Sequence, residues 1–161
     1  METRLVTLKL VLDHLGVDAA IETVDDRKRI QKAIYLGQRA GVDLGYRFGW
    51  YLMGPYSPAL TRDYFSLAEG VATGDRSYTM HSLNPSAASS LSAILPLLEK
   101  PTEFPLAQED WLELVASLDY LMRVNGKNLE QAKIELTAKK PRVSNFADLA
   151  HQRLGPVPLP N

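Results

Sequence analysis

Apolar residues recur at intervals of three and four positions along most of this chain, which is the pattern of helices that bury one face. Near the amino terminus a set of leucines follows this spacing: Leu5, Leu8, Leu12 and Leu15. Gly16 comes directly after them and is a suitable residue to end the helix. A second helix is predicted to begin with Asp25 or Asp26 as its cap and to run to Gly41.

An aromatic run interrupts the helical pattern between residues 46 and 58. Aromatic rings occupy alternate positions in this run, at Tyr46, Phe48 and Trp50. Because side chains alternate between the two faces of a strand, a strand here would direct one aromatic face at the core. Gly54-Pro55 ends the run. Ser57 followed by Pro58 then predicts a helix start, since serine caps helices and proline at the first helical position gives up no hydrogen bond.

The next segment, Thr73–Leu83, combines a turn signal at Gly74 with alternating side-chain character, which predicts a short strand or wing. Asn84-Pro85 repeats the arrangement of a capping residue followed by proline and predicts another helix. Within that helix, Pro96 predicts a kink or an early end.

The carboxy-terminal part is also predicted to be helical. Its clearest apolar stripe consists of Trp111, Leu114, Val115, Leu118, Leu121 and Met122. This stripe is expected either in the intramolecular core or at the interface of a homodimer. Asn128 is predicted to cap a further helix, which must stop before Pro141. Ser144 is predicted to cap a last helix that ends at Gly155.

These elements predict a mainly α fold in two parts. Residues 1–83 form a winged-helix-like part with a short β-hairpin or wing, and residues 84–161 form a helical part packed on it. With 161 residues, 45% of them hydrophobic, the chain can bury one substantial core, so a single compact unit is expected.

Charge and cysteine content narrow the possible functions. The chain has 18 Lys and Arg against 19 Asp and Glu, a net charge of −1, so it has no global attraction for a polyanion. The absence of cysteine excludes disulfides, a thiol nucleophile and a thiolate metal site. The apolar amino terminus is interrupted by Lys9 and Asp13 and lacks a cleavage site, so it predicts neither a signal peptide nor a membrane span. We therefore expect a cytoplasmic protein.

The residue types that carry out acid–base, metal or nucleophilic chemistry occur without their usual spacing. His14, His81 and His151 are far apart and form no metal-binding motif. No glycine-rich phosphate loop and no Gly-x-Ser-x-Gly motif is present. The sequence therefore predicts a protein that is not an enzyme, with no catalytic residues, no metal, no cofactor and no small-molecule substrate.

Basic residues near two predicted helix starts are the candidates for contact with nucleic acid. Arg27, Lys28 and Lys32 lie at the start of the second helix, where they could face phosphates or simply form a solvated surface. Arg62, on the helix that follows Ser57, and Arg76, in the predicted wing, could flank a groove of duplex DNA. Acidic residues beside these two arginines nearly cancel their charge.

Two short motifs carry a resemblance to known families. One is Arg29-Ile-Gln-Lys-Ala-Ile-Tyr35, and the other is the aromatic run that ends in Gly54-Pro55 and leads into the next helix. Over residues 25–82 the chain looks like the bacterial YwgA-like group, and it is more distantly similar to the Panacea domain of SocA-type antitoxins. The resemblance implies a small prokaryotic helical, winged-helix-like module that serves as an antitoxin, regulator or adaptor beside a partner protein.

Two hypotheses for the function follow. The first is a non-enzymatic protein-interaction or regulatory module of a bacterial system, antitoxin-like or an adaptor, whose candidate partner-binding residues are Tyr56, Ser57, Thr61 and Phe65. The alternative is a winged-helix transcriptional regulator that binds duplex DNA. Residues 51–100 contain three basic and four acidic side chains, a net charge of −1, which is poorly suited to binding phosphates. The balance therefore favours a partner protein or a homodimer.

Overall fold

The computed structural model describes residues 1–52 and 54–155, which are mainly helical. Eight α-helices occur in these residues: α1 (Thr3–Leu15), α2 (Val24–Arg39), α3 (Pro58–Ala72), α4 (Pro85–Leu98), α5 (Gln108–Asp119), α6 (Leu129–Lys139), α7 (Pro141–Ser144) and α8 (Ala147–Leu154). A π-helical turn, Tyr120–Val124, continues α5. Strands β1 (Gly49–Tyr51) and β2 (Gly54–Tyr56) pair antiparallel as a small hairpin. The predicted mainly α fold with a short hairpin is therefore confirmed.

One cluster of buried apolar side chains runs through both halves of the chain. Helix α2 lies against α5, and α1 lies against α2, α3 and α4. The apolar stripe of α5 faces this core: Trp111 is fully buried, and its indole N–H donates a hydrogen bond to the carbonyl of Leu97 at 2.9 Å. The stripe is thus intramolecular core, and its proposed use as a homodimer interface is wrong. None of the helices in the described residues combines the length and apolar content needed to cross a membrane.

Local sequence signals fix most of the helix starts. Ser57, Asn84 and Asn128 cap α3, α4 and α6 as predicted, each accepting a hydrogen bond from a backbone N–H in the first turn. The cap of α2 is different: it is Thr23, not Asp25 or Asp26. Asp26 instead completes a capping box, because its carboxylate accepts a hydrogen bond from the Thr23 N–H.

Two other local predictions are wrong. The predicted wing Thr73–Leu83 contains a short 3₁₀ helix, Ser77–Met80, because the Asp75 carboxylate accepts hydrogen bonds from the Ser77 N–H and hydroxyl and closes a turn. Ser144 ends α7, so it does not cap α8. Helix α4, by contrast, ends at Leu98, two residues after Pro96, which does not contradict the predicted kink or early end.

The aromatic run keeps its predicted alternation although little of it is a strand. Side chains at even positions from 42 to 48 are half-buried, whereas those at odd positions from 41 to 47 are exposed. Phe48 packs edge-on against Tyr35 at 5.3 Å between ring centroids, and Trp50 stacks on Tyr120 at 5.7 Å. The rings therefore anchor the segment in the core without a ladder of strand hydrogen bonds.

Gly54 of the hairpin packs directly against Ser117 of α5. Its φ of +92° is strained for residues with a side chain, and a Cβ there would overlap the Ser117 hydroxyl. Gly74 has the same φ of +92° but open space around it. A comparison of alanine substitutions at the two glycines therefore separates the cost of backbone strain from the cost of steric overlap.

We expect Gly54→Ala to lower the free energy of unfolding by about 2 kcal/mol more than Gly74→Ala, because only the first substitution adds a clash with α5. Chemical denaturation of both variants and the wild type measures this difference. Equal losses would show that the hairpin does not press against Ser117 in solution.

Candidate functional site

Two neighbouring side chains of α2 hold the corner where β2 leads into α3. The Gln31 amide donates to the Ser57 carbonyl at 3.0 Å and accepts from the Ser57 N–H at 2.9 Å. The Lys32 ammonium donates to the Pro55 carbonyl at 2.7 Å. Both side chains are buried. Because unpaired buried backbone groups cost free energy, these contacts stabilise the corner as a strand partner would.

A second glutamine on the same face of α2 holds the other end of the aromatic run. Gln38 donates to the Tyr46 carbonyl at 2.9 Å and accepts from the Tyr46 N–H at 3.0 Å. Gln31 and Gln38 are seven residues apart, which is two helical turns. The segment from Tyr46 to Ser57 is therefore held by α2 at both ends.

Lys32 occupies an unusual environment for a lysine. Its pKa is lowered to about 7, chiefly by burial; Glu113 opposes this shift, whereas the nearby charges of Lys140 and Lys28 add to it. The Lys32 side chain therefore gains or loses its proton near neutral pH. A buried lysine near other cations is a feature of functional sites as well as of structural networks.

Behind the corner, three cations share two carboxylates. Glu113 on α5 pairs with Lys28 at 2.5 Å and with Lys140 at 3.1 Å. Asp110, one turn earlier, pairs with Arg142 at 3.0 Å and with Lys28 at 3.4 Å. Lys32 lies beside these ion pairs, and its side-chain nitrogen donates to the Pro55 carbonyl. Positive charge therefore exceeds negative charge in this cluster.

Lys140 links this cluster to the hairpin. Its ammonium donates to the Leu52 carbonyl and lies 5.6 Å from the centroid of the Trp50 ring. The backbone of the hairpin is thus held from α2 on one side and from the α6–α7 junction on the other.

The front of this arrangement is a cleft of about 360 Å³ between α2, the hairpin and α3. We call it the α2–α3 cleft, and its lining residues are Val24, Arg27, Lys28, Gln31, Lys32, Tyr51, Leu52, Tyr56, Thr61, Tyr64 and Phe65. The charged side chains in this lining are all cationic, and the remainder are mostly aromatic or aliphatic. The cleft therefore presents an apolar wall beside a positive floor.

Large apolar side chains surround the mouth of the cleft. Val24, Tyr51 and Phe65 are about half exposed, and Leu52 is 94% exposed. Behind them, Tyr56 donates to or accepts from the Thr61 hydroxyl at 2.6 Å, which fixes the orientation of its ring. The mouth is thus apolar, whereas the wall behind it is held by hydrogen bonds.

The residues predicted to bind a partner lie in two different environments. Tyr56, Thr61 and Phe65 line the α2–α3 cleft together. Ser57 is fully buried, because its hydroxyl caps α3 and its backbone is bound by Gln31. Its side chain therefore supports the cleft from within and offers no surface to a partner.

The residues predicted to contact nucleic acid are also divided. Arg27, Lys28 and Lys32 line the cleft, but Lys28 is half-buried and ion-paired with Glu113, and Lys32 is buried and hydrogen-bonded to a backbone carbonyl. Arg62 is exposed on α3, and Arg76 is exposed where its guanidinium donates to the Val71 carbonyl. Neither arginine is among the residues that line the cleft.

Sequence reasoning missed Gln31, Leu52, Glu113 and Lys140. A signal for the first was present: polar Gln31, Lys32 and Gln38 interrupt the apolar face of α2, where burial requires a hydrogen-bond partner. The other three come together only through the tertiary fold. Within residues 1–52 and 54–155, no group of three or more His, Asp and Glu side chains is placed to hold a metal ion.

No family model, curated protein or solved structure matches this chain. The resemblance of residues 25–82 to the YwgA-like group and the Panacea domain therefore stays a prediction. The function is argued below from the geometry of the cleft.

The lowered pKa of Lys32 makes stability depend on pH. An unfolded lysine has a pKa near 10.5, so between pH 7 and pH 10 the unfolded chain binds more protons than the folded chain. Stability should therefore rise with pH in this window, by up to about 1 kcal/mol per pH unit from this group. Lys32→Met removes this contribution, and the difference is measured by denaturation of both proteins from pH 7 to pH 9.5.

Lys139→Met is the matched control, because Lys139 is an exposed lysine on α6. Its pH dependence should follow the wild type. An unchanged slope in Lys32→Met would mean that Lys32 is solvated and keeps an ordinary pKa.

Proposed function

We propose that this protein is a non-enzymatic protein-interaction module of a bacterial system, antitoxin-like or an adaptor, and that it docks its partner in the α2–α3 cleft. One observation carries the proposal. Among the described residues, eight large hydrophobic side chains are exposed, and four of them, Val24, Tyr51, Leu52 and Phe65, line this cleft. Clustered exposed apolar side chains with a polar surround are typical of interaction sites.

The composition of the cleft suits protein binding. Tyr51, Tyr56 and Tyr64 contribute to its wall, and tyrosine is among the residues that dominate binding energy in protein interfaces. Leu52 and Phe65 stand at the mouth, where a partner would remove their apolar surface from water. A docked segment would thus gain both aromatic contacts and hydrophobic burial.

The rigidity of the wall supports the same proposal. Gln31 and Lys32 fix the backbone of the hairpin corner, and Lys140 fixes the backbone at Leu52. A surface that is already ordered loses little conformational entropy when a partner binds. The cleft is therefore preorganised for docking.

A winged-helix regulator of duplex DNA is the alternative, and the described charges support it less. The hairpin Gly49–Tyr56 would have to act as the wing, since the segment around Arg76 is a 3₁₀ turn. Two of the predicted phosphate contacts are engaged inside the protein: Lys28 is half-buried and ion-paired, and Lys32 is buried and hydrogen-bonded. Few cations are then left to neutralise phosphates and release counterions from DNA. This release supplies much of the affinity of a protein for DNA.

We expect the double variant Leu52→Ser/Phe65→Ser to lose its partner, because it removes apolar surface at the mouth of the cleft. Tagged wild-type and variant chains are purified from the native host, and bound proteins are quantified by mass spectrometry. A partner recovered with the wild type should fall at least about tenfold with the variant, equivalent to roughly 1.4 kcal/mol.

The matched control is Met80→Ser/Ile134→Ser, which removes two exposed apolar side chains outside the cleft. This control should retain the partner. Recovery of no stable partner with the wild type, or equal loss with both double variants, would contradict the proposal.

A further inference from the structure

We infer that the α2–α3 cleft recognises a linear partner segment in which a carboxylate lies next to an apolar side chain. The inference rests on the proposed function, since it names the chemistry of the segment that docks in the same cleft. The carboxylate is placed at the cationic floor formed by Arg27 and Lys28, and the apolar side chain is placed between Leu52 and Phe65.

The charge of the lining is the first argument. Arg27, Lys28 and Lys32 are the basic residues of the cleft, and no Asp or Glu is among the described residues that line it. An acidic group entering the cleft therefore meets attraction, whereas a basic group meets repulsion. In a cleft with low-dielectric walls, such a field is stronger than on an open surface.

The ion pairs behind the cleft give the second argument. Asp110 and Glu113, the two carboxylates of the cluster, are already engaged by Lys28, Lys140 and Arg142. Lys28 is therefore compensated from inside the protein, and the charge of the floor that has no carboxylate partner among the described residues is that of Arg27. Buried or partly buried positive charge without a full set of partners is unfavourable, and an anion brought by a partner would relieve this.

The position of Arg27 makes it the accessible part of this floor. Arg27 is half-buried, and its guanidinium donates to the Ile21 carbonyl at 2.7 Å. Guanidinium groups have five N–H donors, so donors remain for a carboxylate. Arg27 takes no part in the ion pairs around Glu113, so neutralising it leaves that network intact.

The experiment uses a displayed library of random 12-residue peptides selected against the full chain. We expect the enriched peptides to carry Asp or Glu within four residues of Leu, Ile or Phe. One enriched peptide and its amide counterpart, with Asp→Asn or Glu→Gln, are then titrated against the wild type, Arg27→Gln and Arg62→Gln. Arg62→Gln is the matched control, because Arg62 is exposed on α3 outside the cleft lining.

We expect the acid-to-amide change to weaken binding to the wild type and to Arg62→Gln by about tenfold, and binding to Arg27→Gln by less than about threefold. A library without enriched peptides, enriched peptides that are neutral or basic, or an equal acid-to-amide effect in all three proteins would overturn the inference.

The same peptides separate this inference from the proposed docking site. If Leu52→Ser/Phe65→Ser abolishes peptide binding while the acid-to-amide change has no effect, the docking site stands and the acidic partner is wrong. If Leu52→Ser/Phe65→Ser leaves peptide binding unchanged, the peptides bind elsewhere, and both the site and the inference fail.

Discussion

The hydrogen bonds from α2 side chains to the backbone of the aromatic segment are the interaction on which the candidate site depends. Gln38 pairs with Tyr46 and Gln31 pairs with Ser57, each through both its amide oxygen and its amide nitrogen. A two-stranded hairpin alone is marginally stable in water, because it has few hydrogen bonds and little surface to bury. Anchored at both ends to a buried helix, the short hairpin becomes a fixed wall, and the α2–α3 cleft lies between this wall and α3.

The charges around Lys32 connect this wall to the electrostatics of the cleft. Lys32 holds the Pro55 carbonyl, and its burial lowers its pKa, so the fold bears a cost for placing an amine at this position. Lys28 and Lys140 both pair with Glu113. This one carboxylate holds the two lysines together, but it does not balance the charges of both. The same residues therefore order the hairpin and leave the cleft positive. One network of side chains therefore sets both the shape of the cleft wall and the charge of the cleft.

The sequence could predict what depends on near neighbours. Ser57 and Asn84 were recognisable as caps because a capping residue followed by proline acts within a single helical turn. The wing around Arg76 was mispredicted because the Asp75 carboxylate, a side-chain contact within the turn, outweighs the alternating pattern. The charge pattern predicts a phosphate contact at Lys32, although the fold buries this side chain beneath the hairpin. Burial of a polar residue is decided by elements far away in the chain, and a charge pattern alone carries no such information.

The most direct measurement of the central claim is native-state hydrogen exchange at the Tyr46 and Ser57 amides, followed by NMR. Both N–H groups donate to glutamine side chains of α2. If these bonds hold the segment, the two amides should be protected to nearly the level of amides in the core of α5, and Gln31→Met should remove the protection of Ser57 alone. Exchange of both amides as fast as that of exposed loop amides in the wild type would contradict the account.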